Sequence, residues 1–92
     1  MNKDNFSFWL ESHTTLSLSA INKYTGAINT ISKGLEKKGL LMGSLYDIND
    51  PVVVENLTLK YFSIGEFEEK DIRGNRMYSN ALKYYKKYVE EV

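Results

Sequence analysis

Apolar residues recur three and four positions apart in four stretches of the chain, which is the spacing of helices with one buried face. Phe6, Trp9 and Leu10 form the first such set, with Asn2 or Asp4 as cap and an end near Ser12. Ile21, Tyr24, Ile28, Ile31 and Leu35 form the cleanest stripe, with Asn22, Lys23, Asn29, Thr30, Lys33 and Lys37 on the other side. Ser17 or Ser19 caps this second helix, and Lys37-Lys38-Gly39 stops it, with cations at the carbonyl end and Gly at C′. Gly26 and Gly34 interrupt it, and Gly26 offers room for close approach of another helix. Tyr78, Leu82, Tyr85 and Val89 form the last stripe, flanked by Ala81 and Tyr88, while Lys83, Lys86 and Lys87 fall off it.

The segments between are less regular. Residues 44–48 read as a short turn of helix or a brief extended piece. Asp50-Pro51 is a helix start, with Asp50 as cap and Pro51 at the first helical position. Residues 52–62 carry strand-forming Val52-Val53-Val54, yet Val54, Leu57, Tyr61 and Phe62 fit a helical face, and the Asp-Pro start decides for helix. Residues 66–71 are acidic, with Phe67 as an anchor into the core, and form a short helix before a basic turn, Arg73-Gly74-Asn75-Arg76. There Gly74 turns the chain, and Asn75 or Ser79 caps the last helix.

The 92 residues make one small domain, spanning residues 1–92. Apolar residues make up 42%, and seven Tyr and four Phe give an aromatic-rich core. Cysteine is absent, which removes disulfides and thiolate metal sites. The first residues, MNKDNFSFWLES, contain acids and no apolar run, and no stretch approaches a membrane span, so a cytoplasmic chain away from membranes is expected. Net charge is zero, which argues against a strongly electrostatic nucleic-acid binder. Its distribution is uneven. Residues 1–43 carry five Lys against three acids, residues 44–72 two Lys against seven acids, and residues 73–92 five Lys or Arg against two acids. The two positive segments make a basic patch if they share a face.

Catalytic signatures are missing. Neither a GxGxxG nor a GxxxxGK(S/T) phosphate cradle occurs, and no His/Cys cluster offers a metal site. His13 reads as a solvent-exposed turn residue without the acid and nucleophile that a catalytic base needs. Glu66, Glu68, Glu69 and Asp71 read as a solvated acidic helix rather than a Mg²⁺ site. Tyr24, Tyr78 and Tyr85 belong to core stripes, with their hydroxyls reaching the rim, whereas Tyr84 and Tyr88 read as more exposed and able to stack on a partner. No enzyme activity, cofactor or metal is expected.

Residues 6–35, FSFWLESHTTLSLSAINKYTGAINTISKGL, resemble the opening of the SAM-like core-binding domain of tyrosine recombinases, the phage integrases. Ser19, Ile21, Tyr24 and Ala27 match that pattern and are structural in it. Residues 44–57, SLYDINDPVVVENL, with residues 67–89, FEEKDIRGNRMYSNALKYYKKYV, resemble the N-terminal helical module of bacterial restriction endonucleases of the HNH-type and GTP-dependent modification-sensing kinds. In those enzymes the catalytic domain lies downstream, so the resemblance implies an isolated module or a stand-alone relative.

The expectation is therefore an all-α, compact bundle of about five helices of the SAM-like core-binding-domain type. It would serve as a DNA-binding accessory or target-recognition module of a restriction-type system, on double-stranded and even modified DNA. Lys23, Lys33, Arg73, Arg76, Lys83 and Lys87 would meet phosphates, with Asn22 and Asn75 as polar contacts. The rival expectation is a protein-interaction module, a homodimer or a dock for nuclease or motor subunits, using Tyr84 and Tyr88. Steep salt dependence separates the two, since an aromatic interface responds little to salt.

Overall fold

The computed structural model describes residues 2–91. Five α-helices and one 3-10 turn follow in order: α1 (Asn2–His13), α2 (Leu18–Lys37), the 3-10 turn (Leu45–Asp47), α3 (Pro51–Phe62), α4 (Gly65–Arg73) and α5 (Met77–Glu91). No strand occurs among the described residues. The fold is an all-α bundle in which α2 and α5 form the central pair and the other helices pack around them.

Local chemistry explains the helix ends. At the start of α2, Ser17 Oγ accepts the Ala20 N–H at 3.1 Å. At its end, the Gly39 N–H bonds the Glu36 carbonyl and the Leu40 N–H reaches back to Leu35 at 2.9 Å. Gly39 takes φ +73, so this is the paired C-terminal hydrogen-bond motif that favours glycine at C′. Asp50 Oδ1 caps α3 by accepting the Val52 N–H at 2.9 Å, with Pro51 in the first turn. The strand propensity of Val52-Val53-Val54 loses to this cap, and Val54, Leu57 and Tyr61 face inward as the helical reading requires.

The core is aromatic. Phe6 of α1 meets Tyr85 of α5 edge-on at 5.2 Å and lies 5.4 Å from Tyr88. Trp9 packs beside Tyr88 at 5.9 Å. Tyr88 is therefore buried, not an exposed stacking residue, and burial pushes its phenol pKa up. Tyr84 is half-buried and touches Tyr24 at 5.5 Å. His13 ends α1 instead of sitting in the turn beyond it, stacked on Trp9 at 4.9 Å with Nδ1 3.0 Å from the Trp9 carbonyl.

The 3-10 turn is fastened from both central helices. Buried Ser32 Oγ donates to the Ile28 carbonyl and accepts the Leu45 N–H at 2.9 Å. The Tyr46 hydroxyl donates to the Thr25 carbonyl at 2.7 Å. The Tyr85 hydroxyl donates to the carbonyls of Leu45 at 2.8 Å and Ile48 at 3.1 Å, inside the core rather than at its rim. Close helix approach occurs at Gly34, not Gly26. A Cβ on Gly34 would lie 3.0 Å from the Phe67 ring, whereas one on Gly26 would meet nothing within 4 Å. Phe67, the expected anchor of the acidic segment, stacks on Tyr61 at 4.3 Å with the rings 3° apart.

Candidate nucleic-acid interface

The residues expected to contact DNA lie on three helices and one turn. Asn22, Lys23 and Lys33 are exposed on α2; Arg73 ends α4; Asn75 and Arg76 are exposed in the turn that follows; Lys83 and Lys87 are exposed on α5.

The turn is shaped by residues other than the glycine. Gly74 has φ −91, and the left-handed residues are Asn75 at φ 56 and Arg76 at φ 64. The Asn75 N–H bonds the Ile72 carbonyl and the Arg76 N–H bonds the Asp71 carbonyl at 2.8 Å. Asn75 thus takes the C′ place after α4 that glycine holds after α2, a place where asparagine is the usual second choice. The cap of α5 is also unexpected. It is neither Asn75 nor Ser79: Asp71 Oδ1 accepts the Ser79 N–H at 2.9 Å from eight residues upstream. Asp71 is fully buried, so it does not belong to the solvated acidic face formed by exposed Glu66, Glu68 and Glu69.

Tertiary packing sets some of the predicted residues together. Lys23 lines one wall of a cleft of about 340 Å³, with Ser17 and Ser19 at the start of α2 and with Gly74 and Asn75 opposite. Tyr24 lines the same cleft and touches Tyr84. Tyr84 in turn lines a second cleft of about 570 Å³, together with Lys87, Ser12, Thr15 and His13. Among the described residues no carboxylate lines either cleft. Lys83 precedes Lys87 by four residues and so shares its side of α5.

Lys33 is not brought to this face. Ten residues along α2 place it about 15 Å from Lys23 and turned about 80° away. Asn22 is likewise turned about 100° from Lys23. Two other cations are engaged by acids. Lys38 Nζ lies 2.6 Å from Glu66, and this hydrogen bond holds the glutamate pKa below its usual value. Lys86 Nζ lies 2.9 Å from Glu55, a bond that raises the lysine pKa. Arg76 Nη1 is 3.6 Å from Asp71.

Chemically, this face offers ammonium groups, hydroxyls and aromatic edges. Such groups bind anions and stack on planar partners. Among the described residues no group of three or more His, Asp or Glu could hold a metal ion, and no helix is long and apolar enough to cross a membrane. No known protein family, curated protein or solved structure matches this chain, so the likeness to recombinase and restriction-enzyme modules rests on sequence pattern alone.

Proposed function

We propose that this chain is a non-catalytic DNA-binding module of a restriction-type system, holding the duplex across the face shared by α2, the 74–76 turn and α5. The observation that carries the reading is the pair of clefts joined at Tyr24 and Tyr84, with Lys23 and Lys87 on their walls and no carboxylate among their described lining residues. In a chain with as many acids as bases, cleft walls that carry lysines and no carboxylate meet a phosphate backbone with less repulsion than the exposed glutamates of α4 would. Lys23, Lys83 and Lys87 neutralise phosphates, Arg73 and Arg76 flank them, and Asn75 supplies a polar contact. Asn22 and Lys33 contribute little, because they are turned away. Zero net charge sets the expected affinity in the non-specific range, about 10⁻⁴–10⁻⁶ M.

Fluorescence anisotropy of labelled duplex at about 50 and 200 mM salt tests this. Binding should weaken with salt, and Lys23→Ala/Lys87→Ala should lower the slope of log K against log salt by about 2. Lys33→Ala should leave it unchanged. Absence of binding to duplex, single-stranded and methylated DNA at low salt would overturn the reading.

A specific observation supports the rival, an interaction module. Val52 and Leu59 lie on the outer side of α3 and are each more than 60% exposed. The rival surface is therefore α3 rather than Tyr84 and Tyr88. Self-association that ignores salt and is lost in Val52→Ser/Leu59→Ser would favour it.

A further inference from the structure

The turn that carries Arg76 contains a carboxylate with one unsatisfied oxygen. Asp71 Oδ1 is used by the Ser79 N–H. Asp71 Oδ2 is buried and has no hydrogen-bond partner. Its nearest cationic group is Arg76 Nη1 at 3.6 Å, beyond hydrogen-bond reach. The hold on the guanidinium is thus a charge contact and not a bidentate pair.

The backbone of Arg76 is fixed independently of that contact. Its N–H bonds the Asp71 carbonyl, its carbonyl accepts the Asn80 N–H at 2.9 Å and the Ser79 hydroxyl at 3.1 Å. Its φ of 64 lies in the left-handed region that a residue with a Cβ adopts only when its surroundings enforce it. The side chain, in contrast, is 61% exposed and can swing. Two arrangements are therefore open to one guanidinium on a rigid stem: against the internal carboxylate, or out toward an anion in solvent.

We propose that Asp71 sets the phosphate affinity of the 73–76 turn by holding Arg76, so that DNA gains this arginine only by displacing an internal carboxylate. The inference rests on the DNA-binding reading above. Asp71 is a positioning residue here. It is buried, touches no ligand, and acts through Arg76.

Asp71→Asn separates the two roles of the side chain, because the amide oxygen still accepts the Ser79 N–H while the charge is gone. Binding of labelled duplex at about 50 mM salt should tighten about three- to tenfold, the size of one removed charge contact near the surface. In an Arg76→Gln background the same change should move affinity less than about twofold. Unchanged or weaker binding by folded Asp71→Asn overturns the proposal. So does equal tightening in both backgrounds, which would mark a long-range charge effect. If Asp71→Asn does not fold, the Arg76 side-chain Nε–H resonance of the unaltered protein decides. It should shift on saturation with duplex, and a resonance that stays put overturns the proposal. Binding by none of the proteins removes the DNA reading itself, whereas binding without coupling removes only the role of Asp71.

Discussion

Replacing Tyr85 by phenylalanine removes a single oxygen from the centre of the bundle. That oxygen donates toward two backbone carbonyls, those of Leu45 and Ile48, at 2.8 and 3.1 Å. A hydroxyl has one proton, so the two contacts share it and their worth is not doubled. The Leu45 carbonyl keeps a second donor, the Ile48 N–H at 3.0 Å. The ring contacts of Tyr85 with Phe6, Tyr46 and Tyr88 survive the substitution. What is lost is one buried, shared hydrogen bond and part of the satisfaction of the Ile48 carbonyl. This gives about 1–2 kcal/mol, or a melting temperature lower by roughly 5–15 °C for a domain of this size. Urea unfolding followed by helical circular dichroism measures it, with an unchanged slope m as the sign that the native fold is kept. Ser32→Ala removes the acceptor for the Leu45 N–H at the other side of the same turn. The double variant should therefore fall short of the sum, because either change alone loosens the turn. A loss below about 0.3 kcal/mol for Tyr85→Phe, or strict additivity with Ser32→Ala, would refute the idea that this hydroxyl fastens the 3-10 turn.

The two α2 glycines should respond with opposite signs. Gly26→Ala meets open space and should stabilise by about 0.5–1 kcal/mol through helix propensity, whereas Gly34→Ala presses on Phe67 and should destabilise by about 1 kcal/mol, both read by urea unfolding. Burial, with lesser contributions from Tyr78, Asp71 and Glu66, pushes the Tyr61 phenol from 10.0 up to about 12, and burial raises Tyr46 as well. The folded chain thus holds these protons more tightly than the unfolded one. The stability that Tyr61 contributes in this way is complete below pH about 10 and is lost between about 10 and 12. Phenolate absorbance from these rings should appear together with loss of helicity, and ionisation well before unfolding would contradict the assignment. Trp9, the single tryptophan, is buried beside the larger cleft, so its emission should change when duplex DNA occupies that cleft and stay constant in Lys23→Ala/Lys87→Ala at the same DNA concentration.

The helices were readable because their signals are local. Ser17, Asp50-Pro51 and Lys37-Lys38-Gly39 act within one turn of themselves, and each stripe reports its own buried face. Asp71 was not readable. It follows three glutamates that do face solvent, and its partner is a backbone N–H eight residues on, which carries no side-chain signature. Tyr88 sits at the edge of its stripe, where exposure depends on whether α1 covers it; Phe6 and Trp9 do. Gly34 rather than Gly26 takes the close contact because α4 swings Phe67 against that end of α2. The candidate interface was legible only as a set of cations. That Lys23 and Asn75 share a cleft, while Lys33 turns away, follows from how α2 and the 74–76 turn meet. That meeting is fixed by the core and not by the spacing within either element.

The central claim is that DNA lies on the α2–α5 face, and amide chemical-shift mapping during titration with unlabelled duplex at low salt tests it most directly. The account predicts perturbations confined to residues 9–24, 73–77 and 83–87, fading as salt is raised. Shifts concentrated around Val52 and Leu59 of α3, or none at all, would contradict it.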